Sequence, residues 1–196
     1  MSISKTFFYI NIFICLGLSQ FGYTSSTMSE DKVSNVNRVD ATNEKEQELL
    51  SKAAGLLADY EIAAKKLLTT LKNETSKAEE ISDQAKELLL LSEEVINSTR
   101  FRLPQCDEYL TKTMVLKNSL KTISHESLEK DYHHDGALPK APAECYHTKD
   151  LFIHPATVIV LTRDDPSLND TTKSSINAEI SEVLGHTELV RQLVIY

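Results

Sequence analysis

Five of the six histidines stand between residues 125 and 154 (His125, His133, His134, His147 and His154), and Asp131-Tyr-His-His-Asp135 is the densest spot. Imidazoles and carboxylates in such numbers are the side chains that hold zinc or copper. A site of that kind needs three or four ligands converging from a rigid frame, commonly with two histidines one helical turn apart. No H-x-x-x-H or H-E-x-x-H spacing is present, and Gly136, Pro139 and Pro142 interrupt the same segment. The neighbours His133 and His134 cannot readily face one ion together. The segment therefore reads as a solvated loop with no metal and no cofactor. Unperturbed imidazoles titrate at about 6.5, so such a loop would respond weakly to pH.

The sulfur chemistry is simpler. Cys15 lies in an apolar leader, which leaves Cys106 and Cys145 for the rest of the chain. In an oxidising compartment two cysteines read as one disulfide, worth roughly 4 kcal/mol for a loop of about 40 residues in the chain-entropy account. A cysteine nucleophile with His147 as its base would need a free thiolate, and no wider catalytic signature surrounds either cysteine. The paired carboxylates Glu93-Glu94 and Asp164-Asp165 lie near a helix end or turn, where neighbours in sequence are normally solvated. No G-x-S-x-G, nucleotide loop, dinucleotide fingerprint or calcium loop occurs. With no nucleophile, base and orienter assigned together, the chain reads as non-enzymatic. Three N-x-S/T sequons, at Asn73, Asn97 and Asn169, fall where helix boundaries would expose them to glycan transfer.

What must position these groups begins with an address. Lys5 followed by the apolar run Thr6 to Leu18 and the small polar residues after it has the order of a secretory signal peptide, residues 1–24, cleaved after Gly22 or Thr24. The run is too short for the ~20 residues that span a bilayer, so a secreted chain without a membrane span is expected. Residues 25–41 are polar and aperiodic and read as a flexible tail. Hydrophobic residues make up 41% of the 196 and charged residues 26%, which permits a core. The net charge of -8, from 21 basic and 29 acidic residues, argues against nucleic acid as a partner.

Residues 42–99 carry the strongest pattern. Leu50, Leu57, Ala64, Leu71, Ala78, Ala85 and Ser92 alternate with Ala53, Tyr60, Leu67, Glu74, Ile81, Leu88 and Val95 in heptad phase. Twelve of these 14 are apolar, where the 41% composition gives about six by chance. A continuous coiled-coil rod of this phase would need a partner chain, and so a homodimer. A hairpin folded at residues 73–75 is favoured, because Ser76-Lys-Ala-Glu79 has the capping-box pattern and the stripe widens at both ends, at Leu49, Leu56, Leu89, Leu91 and Ile96.

Residues 100–196 are expected to form a disulfide-tied helical region containing the His-rich loop. Pro104 can lead a helix to about Ile123, with Tyr109, Thr113, Leu116 and Leu120 on one face. A loop from Ser124 to Asp150 follows. The β-branched run 156–162 reads as a short strand or as a buried helical turn after Pro155. A last helix from about Thr171 shows Ile176, Ile180, Val183 and Leu184 on one face, with Gly185 as a natural stop. The fold class is thus mainly α: a helical hairpin, or a long coiled-coil helix, plus a disulfide-tied C-terminal helical region with at most one short strand. Such a chain is expected to act by binding another protein, or else as a small carrier of an apolar ligand.

Overall fold

The computed structural model of the chain describes residues 36–196, so the leader and most of the polar segment after it lie outside the described residues. Helix α1, Glu44–Leu71, opens on a reciprocal cap. The Asn43 side chain accepts from the Glu46 amide at 3.0 Å, and the Glu46 carboxylate accepts from the Asn43 and Thr42 amides. Helix α2, Ala78–Arg102, returns alongside α1. The hairpin forms and the continuous rod does not, which removes the reason for a homodimer. All of the heptad positions are buried except Glu74, which sits in the turn.

The turn differs in detail from its sequence pattern. Lys77, not Ser76, is the N-cap of α2 and makes no side-chain cap. Ser76 instead donates its hydroxyl back to the Thr70 carbonyl at 2.5 Å, while the Asn73 side chain accepts from the Thr75 amide. Short polar side chains that bond the local backbone end a helix in this way.

Beyond α2 a 3-10 turn, Pro104–Cys106, leads into α3, Asp107–Met114. The expected loop is largely helical. It contains the single turn α4, His125–Leu128, a π-helical turn Glu129–His133 and a 3-10 turn Ala143–Cys145. Cys106 and Cys145 are bonded, with Cα atoms 5.4 Å apart, and tie the start of α3 to the start of α5, Tyr146–Asp164. Helix α6, Asp170–Val194, follows a short turn capped by the Asn169 side chain. The long helices close a ring in which α1 packs on α2, α2 on α5, α5 on α6 and α6 on α1. Of the wide ends of the hairpin stripe, Leu89 and Ile96 are buried in the core and Leu56 and Leu91 are half-buried against it, while Leu49 is half-exposed at the surface.

In the C-terminal half the structure decides one reading that the sequence left open and overturns another. No strand occurs among the described residues, and residues 156–162 lie inside α5. This helix is buried on nearly every side, so packing overrides the strand preference of Val158, Ile159 and Val160. It also runs through Pro155, which has no amide to give to the carbonyl four residues earlier. That carbonyl belongs to Leu151, and the fully buried Tyr60 of α1 donates its hydroxyl to it at 2.8 Å. Gly185, likewise, does not end α6. It is exposed, and the buried stripe continues past it through Thr187, Val190 and Val194.

Residues 36–41 belong to the segment read as a tail, and they bond to the body. The Val39 amide donates to the Arg102 carbonyl at 3.0 Å, and the Arg102 guanidinium donates to the Val39 carbonyl. Arg38 reaches the Gln192 carbonyl on α6 at 3.2 Å. Among the described residues no helix is long and apolar enough to cross a membrane.

Candidate metal centre

Because residues 146–164 are helical, His147, Asp150 and His154 fall at i, i+3 and i+7 and share one face of α5. That face meets His186 from α6 and His133 from the π-helical turn. The histidines are therefore not on one solvated loop. Three overlapping triads each have ligand atoms within 4.8 Å of one another: His133, Asp150 and His154; His147, Asp150 and His186; His154, Glu182 and His186.

Each of the first two histidines is oriented by a carboxylate. The Nδ1 of His154 lies 2.8 Å from Glu179 of α6, and the Nδ1 of His133 lies 2.8 Å from Glu129. With Nδ1 donating to the carboxylate, Nε2 carries the free lone pair in both rings. The carboxylate–imidazole arrangement is the one that fixes tautomer and basicity in metal-ligating histidines. His154 has no solvent exposure, and its Nε2 has no hydrogen-bond partner. Asp150 repeats the pattern. Its Oδ1 is buried and accepts no hydrogen bond, although the Lys149 ammonium is 3.3 Å away.

Lys149 is buried, and its charge is committed elsewhere. It donates to the His133 carbonyl at 2.7 Å and to Asp135 at 3.1 Å. Asp135 also accepts the Tyr109 hydroxyl at 2.6 Å, and burial, reinforced by that carboxylate, pushes the ionisation of Tyr109 far up. The hydrogen bond from His133 holds the Glu129 carboxyl below its usual range, and Glu129 in return raises His133. At the other end of the cluster, burial lowers both His147 and His186 against the opposing pull of Asp150. Their Nδ1 atoms are 2.8 Å apart, a distance at which one ring donates and the other accepts.

The remaining candidates do not converge on this site. His134 is exposed and stacks on His133, and His125 stands 3.7 Å from Glu129 at the rim. Glu93 pairs with Lys117 and Glu94 with Lys52, while Asp165 accepts amides of its own turn. Asn73 is exposed in the hairpin turn. Asn97 lies inside α2 with the hydroxyl of Thr99 buried against the Val95 carbonyl, and Asn169 caps α6. The residues that sequence reasoning missed are Asp150, Glu179, Glu182 and His186. The signal was the spacing His147-x2-Asp150-x3-His154, which is informative only once the segment is known to be helical. Comparison of the chain with protein-family models, with curated proteins and with solved structures finds no match.

Proposed function

We propose that the protein binds a divalent transition-metal ion, zinc or copper(II), through His133, Asp150 and His154, and that it acts by holding the ion and not by turnover. The observation that carries this reading is the buried, unpartnered Nε2 of His154. An acceptor left in that condition costs about 1–3 kcal/mol, and coordination to a cation satisfies it. Imidazole and carboxylate together suit zinc and copper(II) better than calcium or magnesium. Zinc added at a hundred times its dissociation constant to metal-stripped protein stabilises by about 2.7 kcal/mol, which is a rise of about 5–10 °C in melting temperature. His154→Gln is expected to abolish the rise while keeping wild-type helicity by circular dichroism. A wild-type melt indifferent to zinc and to copper(II) would falsify the proposal.

Secretion belongs to the same proposal, since the buried Cys106–Cys145 bond and three sequons suit an oxidising, glycan-adding route. Asn73, exposed in a turn, is the expected glycan carrier. In a eukaryotic secretory host, glycosidase should reduce the mass, and Asn73→Gln should remove most of that reduction. An unchanged mass in the wild type would refute the glycan.

One observation favours the alternative of a small carrier. A surface groove of about 500 Å³ between α2, the segment after α3 and α5 has Leu90, Leu120 and Ile159 as floor, with Lys86, Lys121 and Arg163 on its rim. An apolar floor under a cationic rim matches the anion of a long-chain fatty acid. Isothermal titration with palmitate should then show saturable binding that Ile159→Lys removes, and absence of heat in the wild type would discard the alternative.

A further inference from the structure

The four imidazoles stand in a row, His133, His154, His186, His147, with successive ring centroids 5.1, 5.7 and 5.0 Å apart. Asp150 lies beside the row and belongs to both outer triads, His133 with His154 and His147 with His186. Those two triads use four different histidines and share only this carboxylate. A carboxylate has two oxygens to share. The Oδ1 of Asp150 is the buried oxygen without a hydrogen bond, and its Oδ2 lies 3.7 Å from the His186 Nε2. We propose that the cluster holds two divalent transition-metal ions bridged by the Asp150 carboxylate, an inference that rests on the metal-binding reading above.

The first ion is held by the Nε2 atoms of His133 and His154. The second is held by one ring nitrogen each of His147 and His186, which lie with an Asp150 oxygen within 4.8 Å of one another. Both rings bind as neutral imidazoles, so a ring whose coordinating nitrogen carried the proton keeps it on its other nitrogen. His147 and His186 are each partly exposed, which gives the second ion its way in.

Charge favours cation binding along the row: Asp150, Glu129 and Glu179 lie against it and Glu182 at its exposed edge, while the one buried ammonium, Lys149, is shared between Asp135 and Asp150. The competing arrangement is a single ion in the middle of the row on His154, Glu182 and His186. It would leave Asp150 buried without an acceptor role and would draw on Glu182, which is solvent-exposed. The outer pair leaves neither defect.

The test is stoichiometry on the full chain. Metal-stripped protein dialysed against zinc should carry two zinc ions per chain by atomic spectrometry. His147→Gln and His133→Gln should each halve the zinc content, with helicity unchanged by circular dichroism. An independent readout needs no variant: loading with copper(II) should give an electron-paramagnetic signal that grows to one equivalent and falls by the second, as the bridged spins couple. One zinc per chain, lost in His154→Gln and kept in His147→Gln, would overturn the bridged pair while leaving the single-ion site standing. No bound zinc and no bound copper would overturn both.

Discussion

Leu57→Asp is expected to leave most of the chain unfolded at room temperature. Leu57 has no solvent exposure and lies on the seam of α1, the helix that packs against both α2 and α6. Removing a buried leucine costs about 2–5 kcal/mol in lost burial and cavity. The aspartate adds a carboxyl with no partner in an apolar interior, and even after protonation this costs roughly another 2 kcal/mol or more. Together these approach the whole of a typical domain stability of about 5–15 kcal/mol. Urea denaturation followed by circular dichroism measures the loss. Leu90→Asp is the matched control, since that leucine is 57% exposed on α2, and a surface change of this sort moves stability by about 0.5 kcal/mol at most. Equal midpoints for the Leu57 variant and the wild type would show that the seam does not hold the bundle.

Replacing Cys106 and Cys145 together by serine is expected to lower stability by about 4 kcal/mol, or about 10 °C in melting temperature for a domain of this size. The bond spans a sequence separation of 39 residues. Within that span lie α3, α4, the π-helical turn and His133. Without the bond, the unfolded chain regains the entropy of an open loop, and two buried serine hydroxyls replace apolar sulfur. The loss should also reach the histidine–carboxylate cluster, because His133 is delivered by this loop while His147 lies just past Cys145. Zinc affinity should therefore fall in the serine variant even under conditions where it is still folded. A melting temperature within a degree of wild type would refute the stability claim.

How far the sequence led depended on whether one helix face explained the pattern. In α1 and α2 the apolar positions repeat in heptad phase, so both helices and their folding back on each other were legible, Asn73 turn included. In α5 there was no face to read. Its residues from Thr148 to Val160 are buried all round, which erases the alternation between core and solvent, and its β-branched run imitates a strand. Gly185 reads as a stop because its local cost is known, while the contacts that carry the helix past it come from elsewhere in the fold. The histidine–carboxylate cluster was lost by the same step. His147, Asp150 and His154 face one way only on a helix, and His186 joins them from another helix altogether. The disulfide was legible because no other pairing among the residues after the leader existed.

The hydroxyl of Tyr60 on the Leu151 carbonyl joins residues 91 apart in sequence, and this has a kinetic consequence. The helix containing Pro155 cannot bury its interrupted turn until the first long helix has docked, so the loop between them must close before α5 gains its full stability. Until then Thr157-Val-Ile-Val-Leu-Thr162 is an uncharged six-residue run of high strand preference, the composition that drives intermolecular β-pairing. Pro155 on one side and Arg163-Asp164-Asp165 on the other are placed as gatekeepers of that run. The proline that breaks the helix ladder thus also guards the nascent chain against aggregation, and Tyr60 is what lets the folded protein keep it.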